Sequence, residues 1–449
     1  MKGIYCIAML VFVLTARAAA GKSAASAREV ASLLPKEPAG FGRPISDRAA
    51  WKQIAGNGSY QAALRRAEEM ITQALPESPD ELYLDFSKTG NRSRWQRVAS
   101  QRRTRIGYLT IAECLQDKGR FLPALRKVVA AVCAERTWLM PAHDRSLSNF
   151  NGTSIDIDLG AAHLAWDLAS CHYLLEGRLD AETRKLIRDN LRRRIFEPYM
   201  AMAAGKREAN WWTRTTNNWN AVCLAGVTGS ALAVIESPEE RAKFVAAAGG
   251  YSLNFLKGFT ADGYCSEGLG YWGYGFGHYV LLAEAISQAT GGKVDLMARE
   301  QVRAPATFAT RIEIISGVYP AFADCSVGTQ PSSRLVQFIG RRYGLGAEAA
   351  KDRYMIHAAS SLGPAMMYSF PNSATKAPPG GEAESLGART FFEHAGVLIC
   401  RPGEHKACRM GVALKGGHNA EHHNHNDVGS YVVVVGKRPV LLDPGAEVY

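Results

Sequence analysis

The stretch Asp158–Met200, DLGAAHLAWDLASCHYLLEGRLDAETRKLIRDNLRRRIFEPYM, decides the fold class. Leu159, Ala162, His163, Trp166, Leu168 and Tyr173 fall at helical steps, so the segment predicts one apolar helix. Gly177 interrupts it, and Asp180 opens a second helix. Working outward, Tyr108–Glu135 repeats the pattern, and further helical pieces are expected at Asn220–Ile235, Ala242–Gly258, Gly277–Thr290 and Ala304–Ile315. Helix pairs with short Gly, Pro or Asp connections predict antiparallel hairpins stacked side by side, with the connections building a cleft.

After the Pro- and Gly-rich stretch PNSATKAPPGGEAES (371–385) the period changes. The segments FFEHAGVLICR, HKACRMGVALK, VGSYVVVVG and RPVLLDPG are short, β-branched and separated by turns, so they predict four antiparallel strands. Four strands make an incomplete sheet, and a β domain cut short at the C-terminus is expected. Cys400 and Cys408 invite a disulfide guess. The other mature cysteines, such as Cys133 and Cys223, sit in apolar runs and predict small core residues.

Of 449 residues, 47% are apolar and 21% charged, which excludes a disordered or collagen-like chain. Nine Cys are too few for a disulfide scaffold. The formal net charge of +11 suits an acidic polymer as partner. At the N-terminus, Lys2, the apolar run Ile4–Leu14 and Arg17-Ala18-Ala19-Ala20 predict a signal peptide over 1–20 and a periplasmic or secreted protein. That run is short for a membrane span, and no later stretch approaches one, so stable membrane insertion is not expected. The expected organisation is a helical domain over 21–378 and the start of a β domain over 379–449. No nucleic-acid-binding module is recognisable in the chain, and oligomeric state is not legible.

Three motifs carry chemistry. In Gly417–Asp427, GHNAEHHNHND, an extended backbone would point His423, His425 and Asp427 the same way, a set able to hold a metal or move protons. Asp443 is a candidate further ligand, although a straight hairpin turning at 436–439 pairs it with Val432, far from His425. In WWTRTTNNWN (211–220), Thr216 or Asn217 is the expected N-cap, placing Asn218 and Asn220 in a first helical turn that favours a carboxylate. In Asp262–Gly275, DGYCSEGLGYWGYG, the glycines suggest tight backbone, and the aromatic groups could stack on a sugar while a phenol does proton chemistry.

Together these motifs resemble the heparinase II/III-like polysaccharide lyases, a group that includes oligoalginate lyases. The resemblance runs through TTNNWNAVC, DGYCSEGLGYWGYG, HHNHNDVGSY and LLDPGAEVY, with weaker support from Trp138–Asp144 and DIDLGAAHLAWDL. It implies an incomplete (α/α) toroid followed by an antiparallel β-sandwich, and β-elimination at a uronic acid in alginate or a glycosaminoglycan such as heparin or heparan sulfate. By resemblance, Asn218 holds the uronate carboxylate, Tyr271 is the acid with Tyr274 in reserve, and His423 transfers a proton or neutralises the carboxylate. Arg214, Asn217, Trp219, Glu267 and Trp272 are expected at the substrate. His425 and Asp443 are expected to hold a structural zinc, with a further ligand beyond residue 449. One departure is that Trp219 stands where members of this group often carry His.

Two other classes fit parts of the chain. A glycoside hydrolase on a helical toroid could use a pair from Asp156, Asp158 and Glu267. A non-catalytic polysaccharide-binding fragment would need none of the proton chemistry. Which uronate is cut, exo or endo action, and the choice between Tyr271 and Tyr274 stay open at this level.

Overall fold

The computed structural model describes residues 26–344, 361–371, 386–402, 409–423 and 425–446. The predicted signal peptide, the domain boundary at 378/379 and Cys408 lie outside them.

The helices of the double layer are α1 (Gly58–Thr72), α2 (Ser93–Gln116), α3 (Leu122–Cys133), α4 (Leu159–Leu175), α5 (Ala181–Leu191), α6 (Asn218–Val234), α7 (Pro238–Leu256) and α8 (Gly268–Ala289). α2, α4, α6 and α8 pack in that order as an inner row, and α1, α3, α5 and α7 lie outside it. Each hairpin α2/α3, α4/α5 and α6/α7 pairs an inner helix with an outer one, the arrangement of an incomplete α/α toroid. The layering follows from the sequence: every residue of α6 except Trp219 is buried, as a helix apolar on all sides requires. Starts are capped locally. Asp158 Oδ1 accepts from the Ala161 amide at 2.7 Å, Asp180 accepts from Thr183, and Ser237 precedes Pro238 at the first position of α7.

Close approach of the inner helices depends on missing side chains. A Cβ on Gly229 would lie 2.3 Å from the Trp166 indole of α4, and one on Gly226 2.5 Å from the Ala162 carbonyl. The tight backbone expected around Asp262–Gly275 is helical from Gly268 on, where α8 begins ahead of the expected start at Gly277. Of the glycines from 268 to 275, only Gly268 takes a left-handed conformation, with φ +86°. Gly275 is needed for packing instead, since a Cβ there would stand 3.0 Å from the Cβ of Asn218.

The C-terminal strands form one antiparallel meander, β1 (Arg389–Phe392), β2 (Val397–Cys400), β3 (Met410–Lys415), β4 (Tyr431–Val435) and β5 (Arg438–Leu441). There are five strands where four were expected, because FFEHAGVLICR folds back on itself at Glu393–Gly396. Among the described residues this is a single sheet, without the second layer of a sandwich. Phe392 of its inner face packs on Tyr264 and Phe308, and the Arg311 guanidinium lies 4.6 Å above its ring. The alternating residues Phe391, Leu414, Tyr431 and Val435 face outward and are exposed. No helix among the described residues is long and apolar enough to cross a membrane.

Candidate active site

Three elements meet at the N-terminal end of α6. The first is α6 itself, capped by Asn217, whose side chain accepts from the Trp219 amide at 3.2 Å. Of the two expected caps, Asn217 is the one used, so Asn218 is the first helical residue and is almost fully buried. The second is the start of α8, which carries Glu267 and Tyr271. The third is the β3–β4 connection, tied to the helical domain by a 3.1 Å contact between Thr216 Oγ1 and His422 Nε2.

Asn218 Nδ2 donates to Glu267 Oε2 at 2.8 Å, and His423 Nε2 lies 3.2 Å from that same oxygen. The Tyr271 ring stacks on the His423 ring, with centroids 4.1 Å apart and planes inclined by 24°. Asn218, Glu267, Tyr271 and His423, drawn from three separate segments, thus form one cluster. Behind His423 stands Asp324, a residue that sequence reasoning missed. Its Oδ2 lies 2.5 Å from His423 Nδ1 and its Oδ1 2.6 Å from His425 Nε2. No periodicity marks Asp324 in PAFADCS; the available signal was an acid among small residues in a segment that is neither helix nor strand. The structure holds this loop from both sides. The Ala323 amide donates to Asp427 Oδ2 at 2.9 Å, and the Ala446 amide donates to the Cys325 carbonyl at 3.1 Å.

Burial opposes the charged form of His423, but hydrogen bonds and charge from Glu267 and then Asp324 outweigh it, and its pKa is raised. The Tyr271 phenol is held above its ordinary value by burial, then by Asp324 and Glu267, with Arg92 pulling the other way. Tyr271 therefore rests as a neutral proton donor. Tyr274 points elsewhere: its hydroxyl lies 3.1 Å from His163 Nε2, and burial raises its pKa. His163 and His278 beside it are pushed down by burial to about 3 and about 4, so both rest neutral.

Two expectations about orientation are corrected. The 417–427 run is turned rather than extended, with φ of +52° at His423 and +53° at Asn426. Asp427 consequently leaves the histidines and pairs with Lys415 at 2.9 Å. Trp272, expected at the substrate, is fully buried and donates its indole N–H to the Pro305 carbonyl at 2.8 Å. It follows Tyr271 by one helical position, about 100° around α8, which turns it into the core. Arg214 is exposed and Trp219 half-buried, and both line a cleft of about 1190 Å³.

The two residues expected to hold zinc, His425 and Asp443, each have other partners. His425 is engaged by Asp324, while Asp443 accepts from the Ser430 hydroxyl at 2.5 Å and from the Gly445 amide at 2.8 Å. No group of three or more His, Cys, Asp or Glu side chains suited to a metal occurs among the described residues. No chemistry is assigned to a metal on this donor set.

The loop bearing His423 is anchored by Lys415, whose side chain is 1% exposed and bridges Glu421 and Asp427 at 2.9 Å each. Lys415→Met leaves two buried carboxylates without their cation and is expected to cost about 3–5 kcal/mol, read from denaturant unfolding. The anchor also depends on pH. Burial raises the Asp427 carboxyl, but the Ala323 amide and Lys415 outweigh it and hold it below its ordinary value. Its contribution is present above an unfolded pKa of about 3.9 and is lost as pH falls through the lowered folded value.

No protein-family model matches the chain, and no curated protein does. Among solved structures, the chain is similar to a heparinase III, at 12% identity and a TM-score of 0.47, over 95% of this chain and 68% of that one. It is similar to the heparan sulfate lyase HepC from Pedobacter heparinus at 11% identity and a TM-score of 0.46; the match covers 90% of this chain and 66% of that enzyme's length. It is also similar to alginate lyase A1-III from Sphingomonas species A1, at 13% identity and a TM-score of 0.46, over 74% of this chain and 98% of that one. These likenesses are faint, and the functional reading rests on the chain's own side chains.

Proposed function

We propose that this chain is an exported polysaccharide lyase that cleaves a uronic-acid-containing acidic polysaccharide by β-elimination. The observation that supports it is the convergence of the Asn218 amide and the His423 imidazole on one oxygen of Glu267, under the Tyr271 phenol. Elimination needs three services: neutralising the uronate carboxylate, removing the C5 proton, and protonating the leaving oxygen at C4. The Asn218 amide, at a helix N-terminus, takes the carboxylate. His423 takes the C5 proton from its neutral form, with Asp324 on Nδ1 fixing the ring so that Nε2 faces the cluster. The electron pair forms the C4–C5 double bond, the C4–O bond breaks, and Tyr271 donates its proton to the departing oxygen. His423 then gives its proton to solvent, and the Tyr271 phenolate takes one back from solvent, which restores both groups. Because the His423 pKa is raised, the rate is expected to rise with pH as its imidazolium is discharged.

The hydrolase alternative has less to stand on. Asp156 is bound by Asn149, Asn210 and Arg207, and its pKa is lowered by those contacts despite burial, the opposite of a general acid. Asp158 is committed to capping α4 and to His143, 2.7 Å away. The deciding experiment follows absorbance of the whole chain with alginate, heparin, heparan sulfate, chondroitin and hyaluronan at low ionic strength. A lyase raises near-ultraviolet absorbance through the new conjugated double bond. New reducing ends without that absorbance would instead establish hydrolysis.

A further inference from the structure

The sheet carries its charge unevenly. Its register sets the start of β1, the β2–β3 connection and the β4–β5 turn at one end, and the β3–β4 connection with His423 at the other. Arg389, Arg401, Arg409, Lys437 and Arg438 all fall at the first end, about 16 Å along β4 from the second. Beneath that end, between the sheet and residues 313–316, lies a hollow of about 380 Å³. Arg401, Arg409 and Lys437 line it, and Glu313 is the one acid among its described lining residues. That acid is engaged, accepting from the Gly317 amide at 2.8 Å. Arg401 donates to the Arg311 and Glu313 carbonyls at 2.7 and 2.6 Å, which fixes its charge in the wall. Arg409 and Lys437 are exposed and belong to no ion pair among the described residues. The linking residues 403–408 carry Glu404 and Lys406 and leave the charge sum unchanged. Ile315, Leu386 and Pro402 add an apolar wall. Like charges gathered in this way repel one another, so the arrangement favours an anion.

We propose that this hollow is a second, non-catalytic binding site for the polymer, in which Arg409 and Lys437 pair with the carboxylate or sulfate of one acidic sugar unit while its ring rests on Ile315, Leu386 and Pro402. The proposal rests on the lyase reading for the identity of the polymer. A recess of about 380 Å³ has the size of a small-ligand site, and cations over an apolar wall suit a sugar ring with one charged arm. A nucleic-acid duplex carries its phosphates on a convex backbone and a bilayer is flat, so neither enters such a recess. The site acts on capture and leaves the elimination machinery untouched. A long chain held at both ends of the sheet rebinds before it escapes, whereas a short fragment fills one site at a time.

The test compares the full chain with its Arg409→Gln/Lys437→Gln variant and with a control, Lys52→Gln/Lys118→Gln, that removes the same charge from exposed lysines elsewhere. Binding of polymeric heparin, polymeric alginate, inorganic sulfate and a DNA duplex is measured calorimetrically, with elimination kinetics on the polymers and on their tetrasaccharides alongside. The Arg409/Lys437 variant is expected to bind polymer about tenfold more weakly, with a shallower salt dependence and a raised KM for polymer. Its kcat, its KM for tetrasaccharides and its melting temperature are expected to match the parent. Weakening for both polymers assigns the recognised group as a carboxylate, and weakening for heparin alone assigns it as a sulfate. An equal loss in the control, an equal loss for DNA, or a loss for inorganic sulfate with the polymers unaffected overturns the site. A loss confined to the Arg409/Lys437 variant, in a parent chain that eliminates none of the polymers, upholds the site and overturns the lyase reading. Elimination by the parent, with polymer affinity and KM unchanged in the variant, does the reverse.

Discussion

Tyr271→Phe is expected to lower kcat by about 10²–10⁴-fold while leaving the fold intact, because it removes the one proton that the leaving oxygen needs and nothing else. The ring remains to stack on His423, so substrate affinity and melting temperature are expected to stay close to those of the parent. Single-turnover absorbance with a uronate polymer reads the chemical step. The partner experiment is Tyr274→Phe, which deletes a hydroxyl directed at His163 rather than at the cluster. It is expected to cost about 1 kcal/mol of stability and little activity. An inverted result, with Tyr274→Phe inactive and Tyr271→Phe active, would assign the phenol chemistry to the wrong face of α8 and remove the mechanism proposed above.

Asn218→Ala is expected to reduce kcat/KM by about 10²–10³-fold, the usual loss for a single donor aimed at developing negative charge. The elimination passes through a state in which the uronate carboxylate carries the charge released at C5, and a neutral amide at a helix start stabilises it. Deletion has a second consequence. Glu267 Oε2 then keeps only His423 of its two contacts in the cluster, which draws the imidazole further toward its charged form. The rate-against-pH curve of Asn218→Ala is therefore expected to move to higher pH as well as lower. A variant with full activity on every acidic polymer that the parent cleaves would show that Asn218 only packs against Gly275 and caps nothing of use.

The helical hairpins, the change of period beyond residue 371 and the three motifs whose Asn218, Tyr271 and His423 come together were legible in the chain. Each is written in local spacing, or in motifs a dozen residues long. Legibility failed where a local rule had two outcomes. Glycines at 268–275 suit a turn or a close helix crossing, and the contact between α8 and α6 selects the second. An HxHxD run shares one face only if extended, and positive φ at His423 breaks it. Trp272 and Tyr271 are equally aromatic, but one helical step separates core from cleft.

By itself the sequence determined the two layers of helix, the strand meander and which residue types could do acid–base work, because periods of 3.6 and 2 and turn residues act over a few positions. Only the tertiary structure decided which carboxylates serve the imidazole. Asp324 reaches His423 and His425 across 99 and 101 residues, and Lys415 draws Asp427 away from them. A hydrogen bond or ion pair between distant segments leaves no periodic mark on either one. It exists once packing of α6, α8 and the sheet has fixed where the loops between them end.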